Sequence, residues 1–203
     1  MAGAAKFGKA ALGFRTHSGW ASAVLAAGCS DMIEILDRRH VTLCDSAKAG
    51  SKQPFHAAEP MPFAQAESHI ELCRRTTEKM AREAVSAALA VCEGRKMRLC
   101  GVCVITASGR TLPELPVILA SHALIHTAEG EFYRDAVAGA AEIMGLKTAR
   151  LKEAEALAHV GLRMDMGEAA MTRKLAEMGK RVGRPWTADE KLATLAAWSL
   201  LVN

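Results

Sequence analysis

Aromatic residues are scarce, with five Phe, three Trp and one Tyr among 203 residues. The core must therefore be built from Ala and aliphatic side chains, and the basic stretches lack the interleaved aromatics on which single-stranded nucleic acids stack. Long apolar runs are also missing. None approaches the roughly 18 residues of a membrane span, and the start MAGAAKFGKAALGF has neither a sustained apolar stretch nor a cleavage site of a secretory leader, so a cytoplasmic protein with no membrane partner is expected. Charge of one sign is not in excess. The 26 Lys+Arg against 22 Asp+Glu leave +4, too little to imply nucleic-acid binding alone, though a local basic patch remains open. A hydrophobic fraction of 50% with 24% charged residues argues against disorder and for an ordinary globule. The length suits one domain, residues 1–203, with a loose small-residue arm at 1–11.

Cysteine is present at six positions, Cys29, Cys44, Cys73, Cys92, Cys100 and Cys103, mostly inside apolar periodic segments. That placement fits buried thiols in a reducing compartment better than disulfides. Cys100-Gly-Val-Cys103 has C-x-x-C spacing, but it lies in the alternating run RLCGVCVIT, where a strand sends the two sulfurs to opposite faces. No second C-x-x-C completes a site.

In chain order, Leu12–His17 reads as a strand, Ser18-Gly19 as a tight turn and Trp20–Ala27 as a second strand. Gly28–Asp31 turns the chain into a third strand within Met32–Cys44, which alternates in two parts around Asp37-Arg38-Arg39-His40. Asp45–Pro62 reads as loop, carrying Phe55-His56 and Glu59. From Phe63 to Val91 apolar or small residues recur at 3-4 spacing, a long amphipathic helix ended by Gly94. Leu99–Thr106 is a strand apolar enough to be central in a sheet, and 107–113 is loop. Further on come a short strand Thr148–Leu151, a short helix Glu153–Val160 and a helix Glu168–Lys180. The last helix is announced by Thr187 and Glu190 in a capping box, with Leu192, Ala196 and Leu200 as its inward stripe.

The chain is organised around Pro116–Ile143, which reads as one long helix. On a 100° wheel Ile118, Ile125, Phe132, Ala136, Gly139 and Ile143 fall within roughly 40° of one another's centre and form a core-facing stripe. Glu129, His122, Tyr133 and His126 form a polar file along the edge of that stripe. A charge near the core needs a partner, and His122 is the candidate within the helix. The file reads either as a structural Glu–His pair or as the wall of a ligand or active site. The spacing His122-x-x-x-His126-x-x-Glu129 admits a shared Zn²⁺ between the two imidazoles, but it lacks the Glu directly after the first His that metalloproteases carry; no metal ligand or cofactor is assigned. His56 and Glu59 can reach this region as a lid. Ser18 beside His17 and Ser121 beside His122 are adjacent pairs whose side chains point apart. The seven Lys/Arg between Arg163 and Lys191 are matched by five acids, too even a balance for a phosphate-binding surface.

Three antiparallel strands, a long helix, a central strand, a second helix, a fifth strand and terminal helices is an order that resembles the ribonuclease H-like fold. Within it the chain looks most like RuvC-type Holliday junction resolvases, over residues 12–202. The resemblance is carried by Gly13-Phe14-Arg15, Ser18-Gly19-Trp20, LCGVCVIT, the helix from Ile118 and DEKLATLAAW at Asp189–Trp198. It implies an α/β fold with a five-stranded mixed sheet, three strands antiparallel and two parallel, flanked by helices, and a dimer is the default for this architecture. Those nucleases hold two metal ions on carboxylates so that attacking and leaving oxygens are both stabilised. The Asp of their first-strand Gly-x-Asp is here Arg15, the Glu closing the fourth strand is here Ile105-Thr106, and of the acids on the final helix Asp189 and Glu190 remain while the inward position a turn later is Lys191. The first expectation is thus a RuvC-like domain with a degenerate metal site and a binding or assembly role, its cleft lined by Arg15, Asp37, His126 and Lys191. The second is a hydrolase or nuclease using a rearranged set of His17, His122, Glu129 and Asp189. The third is a small-anion-binding protein anchored by Arg15 and Lys191. Nucleic acid or a small anionic ligand is the partner these expectations imply.

Overall fold

The computed structural model describes residues 8–29, 32–107 and 111–202. β1 (Gly8–His17), β2 (Trp20–Cys29) and β3 (Met32–Thr42) form an antiparallel meander, as the alternation and the Ser18-Gly19 turn indicate. β4 (Met97–Thr106) joins β1 in parallel and β5 (Lys147–Lys152) joins β4 in parallel, giving the sheet order β3-β2-β1-β4-β5. The apolar fourth strand is thus an inner one, beside the first. The expected arm at 1–11 is corrected in its second half: Gly8–Ala11 belong to β1, and Ala10 and Ala11 are fully buried. The weak strand propensity of Ala is overridden by pairing on both edges. Residues 1–7 of that arm lie outside the described residues, as do parts of the expected turns at 30–31 and 108–110.

The helices are α1 (Pro54–Ala58), α2 (Phe63–Gly94), α3 (Leu115–Leu119), α4 (His122–Ile143), α5 (Ala156–Arg163), α6 (Glu168–Val182) and α7 (Ala188–Ser199), with a 3₁₀ turn at Glu153–Glu155. α2 and α4 cover one face of the sheet, burying Leu12, Phe14, Val102 and Val104. α7 covers the other, over Ala11, Cys103 and Ile105, with α5 and α6 packed outside it. The stripe expected on α7 is too narrow: residues 193–199 are buried all round, because the helix is sandwiched between sheet and outer helices, while Leu192 and Leu200 are half-buried. It also runs against the strand backbone. A Cβ at Gly13 would lie 1.9 Å from the Ala193 carbonyl oxygen and 2.5 Å from the Ala197 nitrogen.

Four further expectations need correction. The long helix from Pro116 is two helices, interrupted at Ser121, whose backbone is extended (φ −136°, ψ 110°). Ile118 and Ile125 are seven residues apart, two helical turns, so the apolar period runs through the break unaltered. Ile118, Ile125, Phe132 and Ala136 of the expected stripe are buried, but Ile143 is 70% exposed, and the buried face widens to include Tyr133, Val137, Ala140 and Ala141. Within the expected loop Asp45–Pro62, Pro54 opens the short helix α1. The two sulfurs of Cys100-Gly-Val-Cys103 do not face apart. The β1–β4 register slips between Ala10–Leu99 and Leu12–Val102, and this bulge leaves Cys100 and Cys103 both against the α7 layer.

Candidate functional site

Strand parity turns Arg15 and His17, at the C-terminal end of β1, toward the α7 side of the sheet. The Arg15 guanidinium donates to Glu153 Oε2 at 2.9 Å and to the Thr16 carbonyl at 2.8 Å. His17 Nε2 lies 2.9 Å from Asp189 Oδ1, at the start of α7. The imidazole stacks on Trp20 (4.3 Å, 12°), and Trp20 stacks in turn on His40 (4.5 Å, 21°), so β1, β2 and β3 are bridged at this end by three rings. Glu190 is fully engaged. Its Oε2 accepts from the Thr187 N–H at 2.6 Å, completing the expected capping box, and its Oε1 lies 3.3 Å from Arg38 Nη1. Arg38 also donates to the carbonyls of Val182, Arg184 and Pro185, which ties the α6–α7 connection to β3. Lys191 stands half-buried in the first turn of α7 with no ion-pair partner among the described residues. Asp37 is not part of this group: it pairs with Arg39 on the α2 side, near Leu25 and Ala88.

The two-metal site implied by the resemblance does not fit these residues. A cation stands at the first-strand position and Ile105-Thr106, both buried, at the fourth-strand one. Asp189 and Glu190 are held by His17 and Arg38, and among the described residues no three carboxylates converge here. Glu153 and Glu190 are each paired with an arginine and Asp189 is bonded to His17, so few carboxylate oxygens are left for two divalent cations.

On the other face, Glu129 of the α4 polar file is paired with a histidine, as expected, but not with the one expected. Glu129 is 3% exposed, and its partner is not His122. Its Oε1 accepts from the N–H groups of Phe55 (2.8 Å) and His56 (3.0 Å) and lies 3.1 Å from His56 Nδ1. The carboxylate thereby caps the first turn of α1, whose N–H groups have no partner of their own. One turn on, the Tyr133 hydroxyl donates to the carbonyls of Ser51 (3.0 Å) and Lys52 (2.9 Å). Glu129 and Tyr133 together fasten segment 51–56 to α4. Burial pushes the Glu129 carboxyl above the usual carboxylate range, with the His56 and Phe55 donors offsetting part of the rise. Burial likewise raises the Tyr133 phenol. His122 and His126 lie exposed at the start of α4, with their Nε2 atoms 3.1 Å apart, and His56 packs edge-on against both.

The expected site residues therefore divide between the two faces of the sheet. His17 and Asp189 meet, and His122, His126 and Glu129 gather around His56, but the set His17, His122, Glu129 and Asp189 is not assembled. The Arg15 guanidinium, expected as an anion anchor, is instead taken by Glu153 through Nη2 and by the Thr16 carbonyl through Nη1. Glu153, Trp20 and His40 were not anticipated. The only trace of the ring stack was His17 and Trp20 flanking a two-residue turn; nothing local marks Glu153.

No protein-family model and no curated protein sequence matches the chain. Among solved structures it is similar to T. thermophilus RuvC in complex with Holliday junction substrate, with a TM-score of 0.51 at 9% identity, covering 94% of this chain and 91% of that one. It is also similar to the Thermus thermophilus RuvC structure, with a TM-score of 0.49 at 12% identity, covering 94% and 92%. At such identities the likeness is one of fold: the chain has the ribonuclease H-like fold of RuvC, with a mixed five-stranded sheet of three antiparallel and two parallel strands between helical layers.

Proposed function

We propose that this chain is a RuvC-like domain with a binding role, without two-metal cleavage, and that its partner is nucleic acid. The reading rests on the ion pairing at the C-terminal end of β1. A two-metal nuclease concentrates unpaired carboxylates where the scissile phosphate must come, and only the bound cations make that tolerable to a phosphate. Here Arg15 neutralises Glu153, His17 meets Asp189 and Arg38 meets Glu190. A polyanion can approach this end without metal ions, and Lys191 adds a positive charge beside it. The likeness in fold is to a protein solved with a Holliday junction substrate, which makes branched DNA the first probe.

The test pairs two assays on the full chain. Fluorescence anisotropy with labelled four-way junction, duplex and single-stranded DNA should give binding that weakens steeply as salt rises. Incubation of the same substrates with Mg²⁺ or Mn²⁺ should give no strand scission. Cleavage that disappears in Asp189→Asn, or the absence of binding to all three substrates at low salt, would overturn the proposal.

A further inference from the structure

We infer that His56, His122 and His126 form a binding site for one divalent transition-metal ion of the zinc class, independent of the end of the sheet discussed above. A ring nitrogen of each lies within 4.8 Å of a ring nitrogen of the other two. They come from two elements: His56 from α1, and His122 and His126 from successive turns of α4, at the i, i+4 spacing that puts both on one face. The Nε2 atoms of His122 and His126 are 3.1 Å apart. Tetrahedral coordination with bonds of about 2.0–2.1 Å sets the ligand nitrogens about 3.3 Å apart, so this pair needs to open by only a few tenths of an ångström and His56 to close in.

The chemistry of the three rings points the same way. A neutral imidazole has one acceptor nitrogen, and two Nε2 atoms facing each other at 3.1 Å leave at most one proton between them. Three protonated rings with centroids 4.6, 4.7 and 5.5 Å apart would repel one another. A cation shared by three neutral rings removes both difficulties.

The surroundings are those of a metal ligand set. Glu129 Oε1 holds His56 Nδ1 at 3.1 Å, which fixes the tautomer and leaves Nε2 as the coordinating atom. That carboxylate–histidine pairing is the usual outer support of a zinc-bound imidazole. Glu129 is itself held by the N–H groups of Phe55 and His56, while its buried Oε2 has no hydrogen-bond partner among the described residues. His122 and His126 are exposed, so the fourth position opens to solvent. Three histidines with one open position are the arrangement of a zinc site that keeps a bound water. All-imidazole ligation selects Zn²⁺, Co²⁺, Ni²⁺ or Cu²⁺ over the oxygen-seeking Mg²⁺ and Ca²⁺.

The experiment is isothermal titration of Zn²⁺, Co²⁺ and Mg²⁺ into the metal-free full chain and into His122→Ala, His126→Ala, His56→Ala and Glu129→Gln, with circular dichroism to confirm folding. The expected result is one Zn²⁺ per chain, no heat with Mg²⁺, and a Co²⁺ complex whose visible bands are those of a four-coordinate nitrogen site. Glu129→Gln should weaken Zn²⁺ binding roughly 10- to 100-fold, and each His→Ala variant should weaken it further. Because His122 and His126 are exposed, their variants should stay folded and keep the test decisive even where Glu129→Gln does not. Absence of Zn²⁺ binding in the folded parent chain, or binding undiminished in both His122→Ala and His126→Ala, overturns the assignment.

Discussion

Replacing Tyr133 by Phe isolates the bond that fastens segment 51–56 to the body of the fold. The ring is fully buried, and its hydroxyl donates to the carbonyls of Ser51 and Lys52, neither of which has another partner among the described residues. Phe keeps the ring and its packing, so the loss is confined to one donor shared between two acceptors. Leaving a buried acceptor unsatisfied costs about 1–3 kcal/mol. The Ser51 bond is buried, whereas the Lys52 one is only partly so and can be replaced by water. The expected destabilisation is therefore about 1–2 kcal/mol, read as a lower urea midpoint at unchanged slope. The structure demands more than a number. Glu129 holds the same segment one helical turn away, so Tyr133→Phe and Glu129→Gln should be coupled: once either anchor is lost the segment frays, and the second loss costs less. The cycle should show an interaction of at least about 0.5 kcal/mol. Amide exchange should accelerate first at Phe55 and His56, whose N–H groups point at Glu129. A loss below about 0.5 kcal/mol for Tyr133→Phe, or strictly additive effects in the double variant, would refute the idea that these two side chains act as one clamp.

Other perturbations test other parts of the fold. Gly13→Ala sets a Cβ 1.9 Å from the Ala193 carbonyl oxygen; since the obstacle is backbone on both sides, α7 must lift from β1, and a destabilisation of about 3 kcal/mol or more is expected in thermal melts. A variant as stable as the parent would disprove that close approach. Burial raises the Cys103 thiol from its ordinary 9.0 to about 11, the Ser199 hydroxyl opposing the shift. A raised thiol contributes stability that is fully present below about pH 9 and lost as pH climbs toward 11, an alkaline decline of roughly 2–3 kcal/mol that Cys103→Ala should make shallower in urea titrations at stepped pH. Among the cysteines Cys29 alone is exposed, Cys100 is half-buried and the rest are buried. A thiol-specific colorimetric reagent should therefore find one fast-reacting group in the native chain, absent in Cys29→Ser, and all six after denaturation; several fast groups would contradict the burial pattern.

The strands were legible because their signals are local. Alternation, the Ser18-Gly19 turn and the apolar run at Leu99–Thr106 each report on a few consecutive residues, and the Thr187–Glu190 capping box closes as its spacing indicates. What escaped depends on partners far off in sequence or on small defects in regularity. The partner of Glu129 is 73 residues away, and no spacing rule reaches that far. The break at Ser121 preserves the heptad between Ile118 and Ile125, so a helical wheel cannot register it. The bulge at Cys100-Gly101 adds one residue to a strand and thereby reverses the expected parity of the two thiols. In each case a distant partner or a small irregularity leaves the local sequence pattern intact.

The division of the polar residues between two faces, by contrast, follows from topology that the element order already contains. β3 and β4 run parallel, as do β4 and β5, and their connections run through α2 and α4. Such crossovers are right-handed in nearly all cases. Both step in the same direction along the sheet, from β3 past β2 and β1 to β4 and on to β5, so both must lay their helix on the same face. α2 and α4 accordingly share one core, and the opposite face is left for the helices that follow β5. Residues on α4 and residues on α7 were thus bound to lie on opposite faces of the sheet, whatever their chemistry. His17 joins the α7 side by strand parity, and His122, His126 and Glu129 belong to α4, so one active centre combining them was never available to this fold. Two smaller sites were. One is an ion-paired end of the sheet on the α7 side, and the other is a trio of imidazoles on the α4 face, each with its own partners.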